Sequence, residues 1–420
     1  MTEYRIPVEH LRPGVFIRLE KTSWFDHPFL FSNFKIKDQK HVQLIQRLGI
    51  SHVLCIPEKS DVLPLNAPEQ EPASLPVEEQ ISQDIIDHLW AIKNERTLRL
   101  RQKKERIARC EKHFSTCISH FNAIERNLLS GTDQSLEEAL NFVQRLTDLF
   151  LKDRESTLHL MHVTAKEEAT YSHPMNVAIL SMMVGKEARL TESDMTTLGL
   201  GALLHDIGKN RIPKKLLKKR GERTRPEQEI LRQHPVFGVE MLSEVDALSS
   251  RVATIVGHHH EQMDGSGYPK GLDGSAIDPL ARIVTIADAY DNHCNHADPM
   301  DSMTPYLALS HMFGHQKHLF DVEDLTLFIR CLGIYPPGTV VELSNGDIGM
   351  VMAVNPKSQL NPSVMLYDPD VPKKEALIVD LVDEQDLKVE KSIRLTQLPQ
   401  EAHDYLSPRA KFTYYVDPTQ

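Results

Sequence analysis

What this sequence of 420 residues lacks narrows it first. It holds few cysteines: Cys55, Cys110, Cys117, Cys294 and Cys331 are odd in number, widely spread and never paired as CxxC. A disulfide framework and a thiolate zinc ribbon are therefore not indicated, and a reducing compartment is the simpler reading. Long apolar runs are missing as well; Val177 to Gly185 is among the longest, far short of a bilayer crossing. The segment from Met1 to Arg12 carries charges and no apolar core, so it does not read as a signal peptide. Together these features predict a cytoplasmic protein with no membrane contact. A basic surplus is also absent, with 48 Lys and Arg against 59 Asp and Glu and a net charge of -11. That excludes a DNA or RNA polymer as the expected partner. A small anionic ligand stays open, because bound cations and local fields can outweigh the global sign.

What is present reads as an ordinary globular chain, 40% hydrophobic and 25% charged. Its length suits about two to three domains. Residues 1–60 are expected to form a small mixed α/β domain. Tyr4 to Val8 and Val15 to Leu19 alternate as strands around Pro13-Gly14, His41 to Leu48 is amphipathic, and Val53 to Ile56 reads as a further strand. Trp24, Phe25, Phe29, Phe31 and Phe34 supply aromatic core. Five prolines between residues 57 and 80 mark a linker, taken as 61–80.

Residues 81–150 form a helical connector, and the helical pattern runs on to about His162 with a break near Ser130-Gly131-Thr132-Asp133. Ser135 is a candidate cap for the helix after that break. The basic stretch from Lys93 to Lys112 reads as a solvated helix face, or as a helix coupling the N-terminal domain to the rest. Residues 151–338 are almost wholly helix-patterned, with Gly/Pro breaks at 208–213, 235–238 and 264–279. Beyond Tyr335-Pro336-Pro337-Gly338 the pattern turns to strands: a hairpin through Ser344-Asn345-Gly346-Asp347, then Ser363 to Leu366 and Ala376 to Leu381. Residues 339–420 are thus a β-rich extension, and no internal repeat is apparent.

Imidazole and carboxylate gather where helices end. His173 opens an inward stripe of Val177, Leu180 and Val184; His205 and Asp206 follow Leu203-Leu204. Val252, Ile255 and Val256 place His259 and His260 on a buried side and turn His258 away, and Val284 and Ala287 do the same for Asp288 and Asp291. Any one histidine at a helix end has a plain structural reading, and a chain with 21 of them contains chance pairs. A buried aspartate, however, must be paired or bind metal. Several such groups on separate helices point to a metal-assisted hydrolase.

The donors are histidine and carboxylate without thiolate, which favours iron, manganese, magnesium or zinc over softer metals; the donors do not choose among the four, and iron or manganese is the expectation. Asp206 can bridge two divalent ions, which would acidify a water and clamp a phosphate for in-line attack. Lys209 shares the face of His205 and Asp206 if their helix continues, where its ammonium would steady a phosphoryl oxygen. Asp264-Gly265-Ser266-Gly267 alone is a common turn. Directly after His259-His260-Glu261 it reads as a substrate loop that presents Tyr268 to a base.

His205-Asp206-Ile207-Gly208-Lys209 together with His259-His260-Glu261-x-x-Asp264-Gly265-x-Gly267-Tyr268-Pro269 resembles the HD-GYP family of HD metal-dependent phosphohydrolases. The resemblance spans roughly residues 150–338. Leu11-Arg12-Pro13-Gly14 and Trp24-Phe25-Asp26-His27-Pro28-Phe29 also resemble a domain of unknown function that precedes some members. It implies an all-helical HD bundle within a mainly α chain, and hydrolysis of cyclic di-GMP to linear pGpG and/or GMP. The implied metal ligands are His173, His205, Asp206, His234, His259, His260 and Asp288. Asp206 and Lys209 would serve catalysis, and Lys209, Gly267, Tyr268 and Pro269 would meet substrate.

The sequence also departs from that family. Ala169 stands where some members supply a glutamate for a third metal, with Glu167 or Glu168 as weak substitutes, so two ions are expected. Ala297 and Met300 stand at usual basic positions within a segment, 292–300, that departs from the family pattern. Base selection could change there, toward cyclic GMP-AMP for example. An alternative reading is an adaptor or sensor without catalysis that docks diguanylate cyclases through the Tyr268 loop. A homodimer is a further expectation.

Overall fold

The computed structural model describes residues 3–19, 27–29, 32–65, 87–95, 97–102, 104–105, 116, 133–152, 158–160, 173–219, 221–243, 249–296, 301–355, 358–369, 371–373, 376–384, 387–394, 397–406 and 414–416. The expected positions Glu167, Glu168, Ala169, Ala297 and Met300 lie outside them, as do Trp24, Phe25 and Phe31.

Near the N-terminus, β1 (Tyr4–Pro7), β2 (Phe16–Arg18), β3 (Asn33–Lys35) and β4 (His52–Cys55) form an antiparallel sheet in the order β1-β4-β2-β3. The helix α1 (Gln39–Arg47) crosses between β3 and β4, its first turn capped by the Asp38 carboxylate accepting from the His41 amide. Its buried face of Val42, Leu44 and Ile45 closes a small core with Val15, Ile17, Ile36 and Val53. The first two strands were expected on either side of Pro13-Gly14, yet β1 pairs with β4 and not with β2. Val8 leaves the expected strand to open a short 3-10 turn, and β3 was not anticipated at all.

Lys93, in the helical stretch that follows the linker, is not on a solvated face. It is 4% exposed, and its Nζ donates to the carbonyls of His27 and, at 3.1 Å, Phe29. An ammonium buried this deeply needs such acceptors, so this lysine pins the helix to the N-terminal domain.

The central body is a helical bundle. It comprises α2 (Asp133–Lys152), α3 (His173–Glu187), α4 (Glu192–Leu204), α5 (Lys214–Leu217), α6 (Arg225–Arg232), α7 (His234–Ser243), α8 (Ser250–His258), α9 (Pro279–Cys294), α10 (Pro305–His315) and α11 (Val322–Leu332). Helices α3 and α4 are apolar nearly all round, as central helices must be. Around them pack Phe142, Val143, Leu146 and Phe150 of α2, Val252 and Ile255 of α8, and Val284 of α9. Tyr290 and Phe328, both fully buried, meet edge to face at 5.2 Å between α9 and α11.

Helix starts are chemically marked. Thr191, Asp278, Thr304 and Asp321 each accept a backbone N–H with their side chains, and Thr224 and Glu227 make a capping box. Helix α2 starts at Asp133, so Ser135 lies inside it and is not its cap. The expected break at 235–238 is not one: Pro235 occupies the first turn of α7, and the helix runs through Gly238.

The C-terminal strands form one sheet with an unexpected member. Strands β6 (Val340–Leu343) and β7 (Ile348–Ala353) make the anticipated hairpin, turned at Asn345-Gly346 with Gly346 at φ +87°. Beside them run β8 (Ser363–Leu366), β9 (Ile378–Asp380), β10 (Val389–Ser392) and β11 (Tyr414–Val416). Residues 158–160, read from the sequence as helix, form strand β5 (Leu158–Leu160) paired with β7 and β11. Val340, Met350, Met352 and Met365 share the core of the bundle, so the sheet packs directly on it. Its hairpin turn also meets the N-terminal domain: Asn33 Nδ2 donates to Asp347 Oδ1 at 2.5 Å and Lys59 Nζ to the Asn345 carbonyl at 3.0 Å.

Lys93→Ala should leave two buried carbonyls without a donor, at a cost of about 1–3 kcal/mol. Limited proteolysis should then cut the N-terminal domain faster while metal content stays at the wild-type level. Wild-type resistance to protease would refute the pinning role.

Candidate metal centre

Most of the candidate ligands stand where a helix begins or ends. His173 is the first residue of α3 and His234 the first of α7, while His205 and His259 close α4 and α8. Asp206 and His260 follow those two closing residues, and Asp288 projects from α9. The expectation that the helix of His205 continues to Lys209 is corrected here. It stops at Leu204, and Ile207–Arg211 forms a 3-10 turn. The tighter i→i+3 spacing of that turn still returns Lys209 to Asp206, Nζ to Oδ2 at 2.5 Å. Gly208 allows this, because a Cβ there would run into the His234 carbonyl and the Gly238 amide. The 3-10 turn and the start of α7 pack backbone against backbone.

Three imidazoles are set by carbonyls of the chain segment just before them. His205, His234 and His259 each donate from Nδ1 to the carbonyl three residues earlier, on Ala202, Leu231 and Val256, all at 2.7 Å. Each Nε2 therefore turns its lone pair inward. His234 Nε2 then faces His259 Nε2 at 3.1 Å, and His205 Nε2 faces His173 Nε2 at 3.2 Å. Burial lowers the pKa of His234 and, more strongly, that of His259, so neither ring holds a second proton to bridge the gap. Two lone pairs at that distance repel unless a cation sits between or beside them.

Asp206 lies between the two pairs. Its Oδ2 is 3.4 Å from His205 Nε2 and 3.8 Å from His173 Nε2, and its Oδ1 is 3.3 Å from His234 Nε2. Burial works against its charge, yet the neighbouring His205 imidazole, the Lys209 ammonium and the charged form of His173 hold its pKa well below the usual carboxylate range. Oδ1 is nonetheless buried without a hydrogen bond. Donor atoms of His173, His205 and Asp206 form one compact group, and those of Asp206, His234, His259 and His260 a second, with Asp206 common to both. An orphaned carboxylate oxygen facing locked imidazole lone pairs fits a pair of divalent cations.

The two groups differ in their protons. Burial opposes charge on His173, but hydrogen bonds and charges from Asp288 and Asp291 prevail and raise its pKa to about 10. Nδ1 donates to Asp291 Oδ2 at 2.6 Å and Nε2 to Asp288 Oδ1 at 3.0 Å. Desolvation instead pushes His260 down to about 3; its Nδ1 stands 3.7 Å from Asp288 Oδ2. All seven residues anticipated as ligands thus meet in one place.

Sequence reasoning put Asp291 on the buried side without saying what it holds. It is fully buried and accepts from His173, from Asn176 Nδ2 at 2.8 Å and from Asn295 Nδ2 at 2.9 Å. Asn292 donates to Asp288 at 2.8 Å. The signal was present: 288, 291, 292 and 295 follow the spacing of one helical face. His258, as expected, is turned away and accepts from the Asp278 amide at 3.4 Å.

The glycine-rich loop closes over this centre. The buried Glu261 carboxylate accepts from the amides of Lys270 at 2.7 Å and Leu272 at 2.9 Å, folding the loop back. The Tyr268 amide donates to the His260 carbonyl at 3.1 Å, and a Cβ on Gly267 would strike that carbonyl's oxygen. The Tyr268 ring stacks on His260 with centroids 4.7 Å apart, and the Arg232 guanidinium lies over the ring at 5.3 Å. The ring is thus already contacted by both an imidazole and a guanidinium.

Comparison with known proteins agrees with this geometry. Residues 157–323 match the HD domain family, and residues 3–139 match a domain of unknown function, DUF3391. A cyclic di-GMP phosphodiesterase of Pseudomonas aeruginosa is 30% identical over 377 residues, covering 86% of this chain and 84% of that protein. This chain belongs to the HD-GYP family. Similarity to other HD-GYP proteins is more local. The cyclic di-GMP phosphodiesterase response regulator RpfG of Xanthomonas campestris is 30% identical over 49% of this chain and 56% of its own length. A 3'3'-cGAMP-specific phosphodiesterase of Vibrio cholerae is 39% identical over 30% of each chain. No helix among the described residues is long and apolar enough to cross a membrane.

Asp291→Ala should free the His173 ring and weaken metal binding by about 10–100-fold, the usual cost of losing a ligand's hydrogen-bond partner. Competition titration against a chelating dye reads this directly, and wild-type affinity would dismiss the positioning role. Gly208→Ala should force the 3-10 turn away from α7. The expected result is a destabilisation of about 1–3 kcal/mol in a thermal melt, and an unshifted melt would show that the close approach is not required.

Proposed function

We propose that this protein is a metal-dependent phosphodiesterase that opens a cyclic dinucleotide, cyclic di-GMP foremost, to linear pGpG and/or GMP. The observation that carries this reading is the carboxylate of Asp206 shared between two donor groups, with the Nε2 atoms of His205, His234 and His259 aimed inward. His173, His205, Asp206 and Asp288 would hold one divalent ion, and Asp206, His234, His259 and His260 the other. Iron and manganese suit a set that mixes imidazole with carboxylate and lacks thiolate. Bound there, the ions supply an acidified water as nucleophile and Lewis acidity toward phosphate oxygens.

The chain's own residues supply the rest. Asp291 would fix the His173 ring through Nδ1, while Nε2, which now donates to Asp288, would give up its proton to bind metal. Lys209 keeps its side chain 42% exposed while its ammonium rests on Asp206, so it can reach a phosphate oxygen. Charge stabilisation at that point, in a site walled by buried histidines, is the role we assign it. Gly267, Tyr268 and Pro269 line the entrance, and the whole-length similarity to a named cyclic di-GMP phosphodiesterase supports the substrate class.

A second substrate has its own support. Relatives named as 3'3'-cGAMP-specific phosphodiesterases are 39% and 33% identical over shorter stretches. Ala297 and Met300 also leave segment 292–300 without the basic groups expected of a cyclic di-GMP clamp.

The test is a turnover panel. Full-length protein loaded with manganese or iron is given cyclic di-GMP and cyclic GMP-AMP, and products are separated by chromatography. Cyclic di-GMP should be consumed, and Asp206→Ala should reduce the rate by more than about a hundredfold, since it removes a donor from both groups. No turnover of either compound, or turnover indifferent to Asp206→Ala, would overturn the proposal.

A further inference from the structure

Two cations beside the metal centre make no ion pair with a carboxylate among the described residues. Arg223 sits in the turn leading into α6, half-buried, with its Nε enclosed and lacking a hydrogen-bond partner. Its charge is close enough to Lys209 to oppose that ammonium. Arg232, at the other end of α6, is exposed and lies over the Tyr268 ring. Cations nearby in the chain are neutralised: Lys219 meets Glu227 at 2.6 Å and Arg211 meets Glu240 at 2.6 Å. No carboxylate among the described residues neutralises the Arg223 guanidinium, so its charge is left to meet an anionic ligand.

Tyr268 points the same way. With His260 stacked on its ring and the Arg232 guanidinium over it at 5.3 Å, Tyr268 already has planar partners where a base would stack. The outward face of Arg232 is available, and a flat guanidinium braced by an aromatic ring is a good stacking surface. A cyclic dinucleotide carries two phosphodiesters and two bases. Only one phosphodiester can be attacked beside Lys209, and the other keeps its charge and needs a partner.

We propose that Arg223 and Arg232 form the substrate clamp of this protein. Arg223 takes the phosphodiester that is not attacked, and Arg232, backed by Tyr268, carries a base. Recognition is thereby moved to the segment around α6 and away from 292–300. This inference rests on the reading of the protein as a cyclic-dinucleotide phosphodiesterase, and its test separates the two.

Binding of fluorescent, hydrolysis-resistant bisphosphorothioate analogues of cyclic di-GMP and cyclic GMP-AMP to the full-length, metal-loaded protein is measured by anisotropy. Arg223→Ala and Arg232→Ala should each weaken binding of the preferred analogue by about tenfold or more, the scale of one lost charge-assisted contact. Arg223→Lys should restore part of it, whereas Arg232→Lys should not, because a lysine keeps charge but loses planarity. With hydrolysable substrate, KM should rise more than kcat falls, and kcat/KM toward bis(p-nitrophenyl) phosphate, which has one phosphodiester and no purine, should fall far less. Circular dichroism and metal content confirm that the variants are folded and loaded.

Variants that bind as wild type does, while the wild type turns over a cyclic dinucleotide, would overturn the clamp and leave the enzyme reading standing. Weakened analogue binding in a protein that hydrolyses neither compound would support the clamp and overturn the enzyme reading. No binding of either analogue by the wild type would overturn both.

Discussion

The rest of the structure depends on the way His205, His234 and His259 are held by carbonyls of their own chain segments. Each Nδ1–H is spent three residues back, so each Nε2 has only a lone pair to offer inward. Burial keeps His234 and His259 neutral, and the facing nitrogens cannot share a proton. The bundle accepts this repulsive arrangement because helices α3, α4, α7, α8 and α9 are packed tightly enough to impose it. Gly201 admits Ile255 of α8 against α4, and Gly208 admits the start of α7. Stability in this region is given over to a cation.

The two halves of the centre are not equivalent. Burial keeps His234, His259 and His260 neutral, whereas Asp288 and Asp291 favour the charged form of His173, whose Nε2 must give up its proton to bind a metal while Nδ1 keeps its bond to Asp291. Asp206 links them, ionised despite its burial because positive groups surround it. Lys209 balances the charge of that aspartate and remains partly open to solvent. One carboxylate therefore connects the metal donors to the group nearest the entrance.

Away from the centre, the domains are joined by polar contacts and shared packing. The N-terminal sheet reaches the hairpin turn at 345–347 through Asn33 and Lys59, and the hairpin strands share the apolar core of the bundle. Lys93 ties the helical stretch after the linker back to the same N-terminal sheet domain through the carbonyls of His27 and Phe29. A displacement of the N-terminal domain must strain the hairpin turn, which is continuous with strands that share the apolar core of the bundle.

Local chemistry made much of this legible in the sequence. Capping residues, apolar spacing and the Asn345-Gly346 turn act over a few positions, so helices, hairpin and inward-facing ligands could be read from the chain. The charge balance and the scarcity of cysteine likewise bounded the class of partner and the donor type. Long-range pairing could not be read: β1 joins β4 across most of the N-terminal domain, and Leu158–Leu160 becomes a strand by pairing with β11 and with the end of β7 at Ala353. Tertiary structure alone decided that Asp291 holds His173, that the 3-10 turn returns Lys209 to Asp206, and that Arg232 covers Tyr268. Which residue types gather at helix ends is written in neighbouring positions. Which of their atoms face one another is decided by backbones brought within contact distance, and no local pattern records that.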